Sequence, residues 1–415
     1  MNTRSPRGPR ILNPTMHGPA QSASHRLGRF LLVTVAFLPL LATGCRRKHF
    51  PRYPSNYREY AWVANSGANT VSVLDLITMQ NAGTIQVGAR PVSLAVNPVR
   101  DEVYVVNSGS DTVSVIDAVS NRVTATVRVH HDPQFIDVDA RGARAYVANA
   151  DSNNVSVLDL ANRREIAAVG VGEAPARARI SPDGNSLVVA NRRSGSVSIL
   201  DAHRLKLRAA FGGCPGADDT VILPDSSKAF VACSAGHQVM AIGLARPDNP
   251  IPENRADHLL DLLDVGQTPI HLALKPDGGE IFVSNNGGDS VSEIATGNNE
   301  VGGAYLVGEH PSGGVVSADN STLWVSNAGA NSVAAYSIDD GQLEHTIAVG
   351  DGPGPLTLAS DGFLLLAADT NSGDVSVVRT ISYTPRGQPI TGSLFTVLAA
   401  GKAPAAIAVK AFHVR

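Results

Sequence analysis

Eight short segments of this chain carry the residues best suited to chemistry, each built as Val-Gly-x-x-Pro or a variant of it. They are VGARP at 87–91, VHHDP at 129–133, VGEAP at 171–175, FGGCP at 211–215, VGQTP at 265–269, VGEHP at 307–311, VGDGP at 349–353 and AGKAP at 400–404. The frame recurs while the two x positions do not. Arg90, His131, Asp132, Glu173, Gln267, Glu309, His310, Asp351 and Lys402 stand there, with Gly213 and Cys214 in the fourth segment. Ionisable and hydrogen-bonding residues that vary on a constant frame suit a ligand-binding mouth, because binding residues concentrate on loops held by a rigid scaffold. These nine polar residues are the candidate ligand site. The alternative is a set of solvated loop tips whose identity matters little. No catalytic residue and no metal ligand is assigned.

The connectors are positioned by a second repeat. The stretch Tyr146–Leu160, YVANADSNNVSVLDL, reads as two alternating strands joined by a polar turn, and copies begin at Trp62, Tyr104, Tyr146, Val188, Phe230, Phe282, Trp324 and Leu366. Their fourth positions are Asn65, Asn107, Asn149, Asn191, Cys233, Asn285, Asn327 and, more loosely, Asp369. The spacing is 42 residues at every step but one of 52 residues, between Cys233 and Asn285. A fixed period of this size marks a repeat architecture. After each VSVLD comes a third strand such as 82–87 or 165–171, then the connector, a fourth strand such as 93–96 or 271–274, and a tight turn such as Ser181-Pro182-Asp183-Gly184. Gly and Asp supply the positive φ that such turns need.

Four short antiparallel strands per period, with apolar residues alternating, make one propeller blade. The chain has 39 Gly and 25 Pro but is only 17% charged, as many strands and turns require. One blade cannot bury both of its faces, so blades stack and close into a ring without free edges. The set YVAN, VSVLD, VG-x-x-P and SPDG resembles the YVTN-type β-propeller repeat family over roughly residues 60–411. The resemblance implies an all-β single propeller of four-stranded blades, and it speaks to architecture more than to function. Related propellers include lactonases, dehydrogenase subunits and haem d1 proteins. Eight blades are expected, with seven the alternative, because the eighth unit has Asp369 and a longer connection, 382–392. The first repeat strand, 61–65, lacks an inner partner and the last, 406–410, is an inner strand, so the C-terminal strand should enter the first blade and close the ring.

His130, His131, Asp132 and His310 resemble a metal set by type, but their connectors lead into the third and seventh blades. Those blades are opposite in an eight-fold ring, too far apart for ligand distances of ~2 Å. A large flat ligand could span the gap, yet no C-x-x-C-H supports haem. G-x-S-x-G, H-E-x-x-H and phosphate-loop motifs are absent. Asn149 to Asn154 has calcium-like composition and reads as an ordinary repeat turn.

Upstream, residues 1–25 are polar and rich in Pro and Gly, followed by Arg26-Leu27-Gly28-Arg29, an apolar run over 30–41, and Ala42-Thr43-Gly44-Cys45. This is the layout of a secretory signal. Ala-Thr-Gly-Cys resembles a bacterial lipobox, with Ala42 where Leu is usual, which implies lipidation of Cys45. The expected organisation is a signal and polar extension at 1–44, lipidated cysteine and tether at 45–59, propeller at 60–411 and a tail at 412–415. Translation starts at Met1 or Met16. Cleavage removes five Arg and no acid, leaving 29 Lys and Arg against 37 Asp and Glu, a net charge of −8. That balance argues against nucleic acid as a partner. Arg46-Arg47-Lys48 would lie beside anionic headgroups, and Arg46 after the cysteine favours the outer membrane of a diderm host.

Cys214 precedes the inner strand of the fifth blade and Cys233 ends the next strand, so both fall at one end of a hairpin. In an exported protein this favours a disulfide. The same repeat carries the ten-residue insertion within 246–263, where Asp257–Leu263 could form a helical turn. The functional expectation is a monomeric, lipid-anchored, non-enzymatic propeller without a cofactor, presenting a binding face to an envelope protein, glycan or small ligand. The competing expectation is a lactonase-type or dehydrogenase-subunit enzyme, or a haem d1 propeller, using the same connector rim.

Overall fold

Alternation along the strands decides the architecture. In the strand Arg144–Asn149, Ala145 and Val147 pack with Tyr104, Val106 and Val113 of the preceding repeat, while Tyr146 and Ala148 pack with Leu187, Val189 and Leu200 of the next. Successive side chains of a strand point to opposite faces, so each sheet is buried on both sides. The computed structural model describes residues 53–383 and 388–414. Among these, 32 strands form eight four-stranded antiparallel sheets, an eight-bladed propeller.

The inner strands, in blade order, are Pro404–His413, Pro91–Val96, Pro133–Val138, Pro175–Ile180, Ala217–Ile222, Pro269–Leu274, Pro311–Val316 and Pro353–Leu358. Blade 1 is composite: Pro404–His413 from the C-terminal end pairs with Tyr57–Asn65, which brings the two ends of the ring together. The expected domain limits are corrected here. The strand pairing starts at Tyr57 rather than at 60 and includes Phe412 and His413, because Tyr57, Arg58 and Glu59 find partners in His413, Phe412 and Ala411. Glu59, inside the expected tether, is buried and accepts the Ser360 amide at 2.6 Å. Tyr53 stacks on Tyr57 and donates to Asp361 in the blade 8 turn. Cys45 and the signal region lie outside the described residues.

The recurrent Asn explains the Gly of the connectors. Asn191 is fully buried and donates through Nδ2 to Ser196 and Ser198, at 3.2 and 3.0 Å, tying two strands together. The connector leading into the same blade runs directly over this amide: a Cβ on Gly266 would sit 2.5 Å from Asn285 Cγ, and one on Gly401 2.6 Å from Asn65 Cγ. Only glycine allows so close an approach. The eighth copy is in register, since Asp369 pairs with Pro353 and Asp374 as Asn149 pairs with Pro133 and Asn154.

Blade 5 departs from this scheme. The disulfide Cys214–Cys233 is formed. Cys214 does not reach the rim as the sequence spacing suggested. Its amide donates to Gly195 O as that of Val171 donates to Asn153 O, so it fills the buried valine slot, with Gly213 as an extra residue. Cys233 occupies the Asn position, and a covalent link replaces the amide contact. Closing this loop of 19 residues constrains the unfolded chain, so Cys214→Ser with Cys233→Ser is expected to cost about 3 kcal/mol in denaturant unfolding. An unchanged midpoint under reducing conditions would contradict it. The insertion is also corrected: His258–Asp264 is an edge strand, and the helical turn lies earlier, at Pro252–Arg255. Asp257 is held by Arg208 at 2.5 and 2.7 Å, which fixes the start of that strand.

Candidate functional site

Rim backbone is fixed before any side chain is considered. The second x residue of seven connectors is left-handed, with φ of 51° at Arg90, 50° at Asp132, 50° at Ala174, 53° at Thr268, 51° at His310, 64° at Gly352 and 54° at Ala403. This conformation is unfavourable for most residues. A side chain from the preceding blade's turn stabilises it: Asn69 accepts the Arg90 amide at 3.0 Å, Asp111 that of Asp132 at 3.0 Å, Asn153 that of Ala174 at 2.9 Å and Asp289 that of His310 at 2.9 Å. These caps were not recognised in the sequence, although the small polar turn residues were their visible signal.

On this frame the predicted site residues separate into two groups. Arg90 and Asp132 meet at 2.5 Å across adjacent connectors, and His131 Nδ1 lies 2.8 Å from Asp111. Burial pushes the Asp111 carboxyl up, but together the bonds from His131 and the Asp132 amide hold it below the ordinary range. Glu173 stands on the following connector, its amide held by Ser194 Oγ at 3.0 Å. Gln267, Glu309, His310, Asp351 and Lys402 belong to the connectors leading into blades 6, 7, 8 and 1 and do not join them. His310 contacts Asn286 O at 3.1 Å, and Asn371 donates to Asp351 at 3.3 Å. Among the described residues no group of three or more His, Cys, Asp or Glu has metal-holding geometry.

A cleft of ≈ 540 Å³ opens on the first arc, lined by Arg90, Asp132, Gln134, Asp151, Arg192 and Arg193 together with small residues of blades 1 to 4. Arg192 pairs with Asp218 at 2.5 Å. Asp151, Arg192 and Arg193 lie just after the recurrent Asn of blades 3 and 4, where other blades carry Ser66-Gly67, Ser108-Gly109 or Ala328-Gly329. Neither Arg193 nor Asp151 has a side-chain partner among the described residues, so both remain available to a ligand.

Deeper on the same arc is a cluster that the sequence reading missed. The second residue of each inner strand's alternating set is Phe135, Arg177, Asp219 and His271 in blades 3 to 6, against Ser93, Gly313, Pro355 and Ala406 in the others. Two residues on, Asp137 and Arg179 stand where other blades carry Ala95, Val315 and Ala408. Asp219 is buried; its oxygens accept the Thr220 amide at 2.9 Å, the Leu272 amide at 3.1 Å and His271 Nδ1 at 2.9 Å. Burial alone would raise this carboxyl, yet the His271 bond and the charges of His271, Arg177 and Arg179 hold it far below the usual range. His271 Nε2 meets Gly314 O at 2.9 Å. Both of its ring nitrogens thus face acceptor oxygens. Burial pushes the Asp137 carboxyl up, against the pull of Arg179. The available signal was the comparison PQFIDV, PARARI, ADDTVI and PIHLAL against PVSLAV, PSGGVV and PAAIAV.

Two family models match parts of the chain: the cytochrome D1 heme domain over residues 98–243 and the seven-bladed β-propeller lactonases over 305–385. The first match spans most of the arc that carries the cleft and the channel cluster. None of the curated proteins matches. Among solved structures, dihydro-heme d1 dehydrogenase NirN in complex with DHE is 16% identical, with a TM-score of 0.66, covering 87% of this chain and 76% of its own. Hydrazine synthase from Kuenenia stuttgartiensis is 21% identical, with a TM-score of 0.54 and coverage of 77% and 92%. A functionally unknown protein from Desulfotomaculum acetoxidans is 16% identical, with a TM-score of 0.54 and coverage of 84% and 98%. At these identities the likeness is one of fold.

Proposed function

We propose that the protein is a lipid-anchored propeller of the cell envelope that binds a ligand or partner at its channel mouth without transforming it. The observation that carries this reading is the concentration of departures from the repeat on one arc. Arg90, His131, Asp132, Asp151, Arg192 and Arg193 gather over blades 2 to 4, around a cleft with two unpartnered charges, on backbone that the repeat holds rigid. A preformed concave site with few, oriented polar groups is what ligand recognition needs. The ionisable tips of the remaining connectors, Glu309, His310, Asp351 and Lys402, stand apart from this cleft.

The anchor fits the same picture. Tyr53 enters beside Asp361, at the end of the blades opposite the connectors. Cys45 lies eight residues upstream, at most about 28 Å of extended chain. Lipid on Cys45, with the basic Arg46, Arg47 and Lys48 beside it in sequence, would anchor the protein to an anionic membrane surface.

A second reading, a tetrapyrrole-binding propeller, is favoured by the match of residues 98–243 to the cytochrome D1 heme domain. Here His131 is a mouth residue of that region able to offer a ring nitrogen, since only its Nδ1 is engaged, and Arg192 and Arg193, with Arg90 beside the region, are cations for acidic substituents. One experiment separates the readings. Protein isolated from its native envelope should show a mass starting at Cys45 with added acyl chains and no absorbance in the visible range. A visible band would overturn the non-enzymatic reading in favour of the second, and a mass without lipid would remove the anchor.

A further inference from the structure

Arg177 and Arg179 stand two residues apart on the inner strand of blade 4, and each guanidinium carbon lies 4.6 Å from the centroid of the Phe135 ring in blade 3. Stacking on an aromatic ring orients a guanidinium and leaves its N–H edge to other partners. Those partners are not supplied. The nearest carboxylate oxygens are 3.4 Å from Arg177 Nε, on Asp219, and 3.8 Å from Arg179 Nη1, on Asp137. Neither contact is a hydrogen bond, and Arg177 Nε is a buried donor without a partner. Buried polar groups are normally satisfied, so an orphan donor beside two stacked guanidiniums calls for a partner such as an ion or water.

The two carboxylates are engaged elsewhere. Asp219 is occupied by two backbone amides and His271, and Asp137 by the amides of Val138 and Ile180, each at 3.1 Å. The cluster sets Arg177, Arg179 and His271 beside two acids. Blade stacking does not require these residues, since Ser93, Gly313, Pro355 and Ala406 fill the position of Arg177 in other blades. The arginine side chains keep about a third of their surface, at 33% and 38%. Gln134 and Ala176, next to Phe135 and Arg177 in sequence, line the mouth cleft above.

We propose that Arg177 and Arg179 form an oxyanion clamp in the channel wall, taking a carboxylate or phosphate group, either free or as the acidic end of a ligand seated in the mouth. This names the ligand chemistry of the binding site proposed above and rests on that reading for the route of entry. Planar forks are suited to such groups because each can donate two parallel hydrogen bonds. Phe135 orients both forks by stacking against them.

The test is calorimetric titration of the purified exported protein with inorganic phosphate and with citrate, at ionic strength fixed by sodium chloride. Saturable binding of at least one is expected, weakened on the order of tenfold or more by Arg177→Gln or Arg179→Gln. Arg177→Lys should recover only part of it, because the charge returns without the fork. Should these variants misfold, phenylglyoxal labelling of the wild-type protein, read by peptide mass, is expected to show Arg177 and Arg179 protected by the bound anion. The clamp is overturned if neither anion binds, if the variants bind as wild type, or if the labelling rate is unchanged. Loss of phosphate binding in Arg193→Gln, with Arg177→Gln unaffected, would place the oxyanion at the mouth; the clamp would then fail while the mouth reading stands.

Discussion

Trp62→Ala is expected to destabilise the propeller by about 3–5 kcal/mol, the range for removing a fully buried large aromatic side chain. Trp62 is wholly inaccessible and packs against Val103, Val105 and Ile116 of blade 2 and Phe412 of the closing strand. Its Nε1 also donates to Asn121 at 3.1 Å, so one side chain joins both chain ends of blade 1 to their neighbour. The loss should therefore appear first at the closure. Amide exchange of Tyr57–Asn65 and Pro404–His413 should accelerate before that of blades 3 to 5, and the denaturant midpoint should fall. Uniform exchange with an unchanged midpoint would show that the ring does not depend on this junction.

Asp369→Asn is expected to stabilise the protein at alkaline pH, by as much as about 4 kcal/mol at pH 8. Asp369 takes the place of the recurrent Asn and is fully buried. Burial, opposed by Ser376 and reinforced by nearby Asp374, pushes its carboxyl up to about 7. A carboxyl raised in the folded state binds its proton more tightly there than when unfolded. Stability is thus greatest below the ordinary carboxylate range and declines as pH rises from about 4 through about 7. Asparagine removes that decline, and its Nδ2 would donate to Asp374 and Ser376 as Asn149 donates to Asn154 and Ser156, at 2.8 and 2.9 Å. Unfolding midpoints of both proteins at pH 4 and pH 8 decide the matter. The two should be close at pH 4 and separate at pH 8, whereas parallel curves would refute the argument.

Much of the fold was legible because a repeat states the same local answer many times. The 42-residue spacing, the alternating strands and the complementary chain ends suffice for eight blades and a composite first blade, since each blade buries two faces only by having two neighbours. The disulfide was also legible, because Cys214 and Cys233 fall at one end of a hairpin. The exact slot of Cys214 was not. An added Gly213 shifts the connector by a residue, and only the hydrogen bond to Gly195 reveals that the sulfur fills a valine site. The insertion misled for a similar reason: Asp257–Leu263 has residues compatible with a helix, but pairing with Gln238–Gly243 makes an extended edge strand more favourable.

The candidate site was legible only at its outer layer. The sequence by itself determined which positions are free of the repeat, and hence the connector residues Arg90, His131 and Asp132, because a strict period makes every exception visible. It could not determine which exceptions meet. Arg90 joins Asp132 and the cleft, while Gln267, Glu309, His310, Asp351 and Lys402 stand on other blades, a distinction created by ring closure rather than by spacing along the chain. Nor could it show that Phe135, Arg177, Asp219 and His271, each about one repeat apart, form one cluster. Tertiary structure decided that, because stacking places equivalent positions of neighbouring blades side by side, and residues 42 or more apart in sequence become contacts across a shared channel wall.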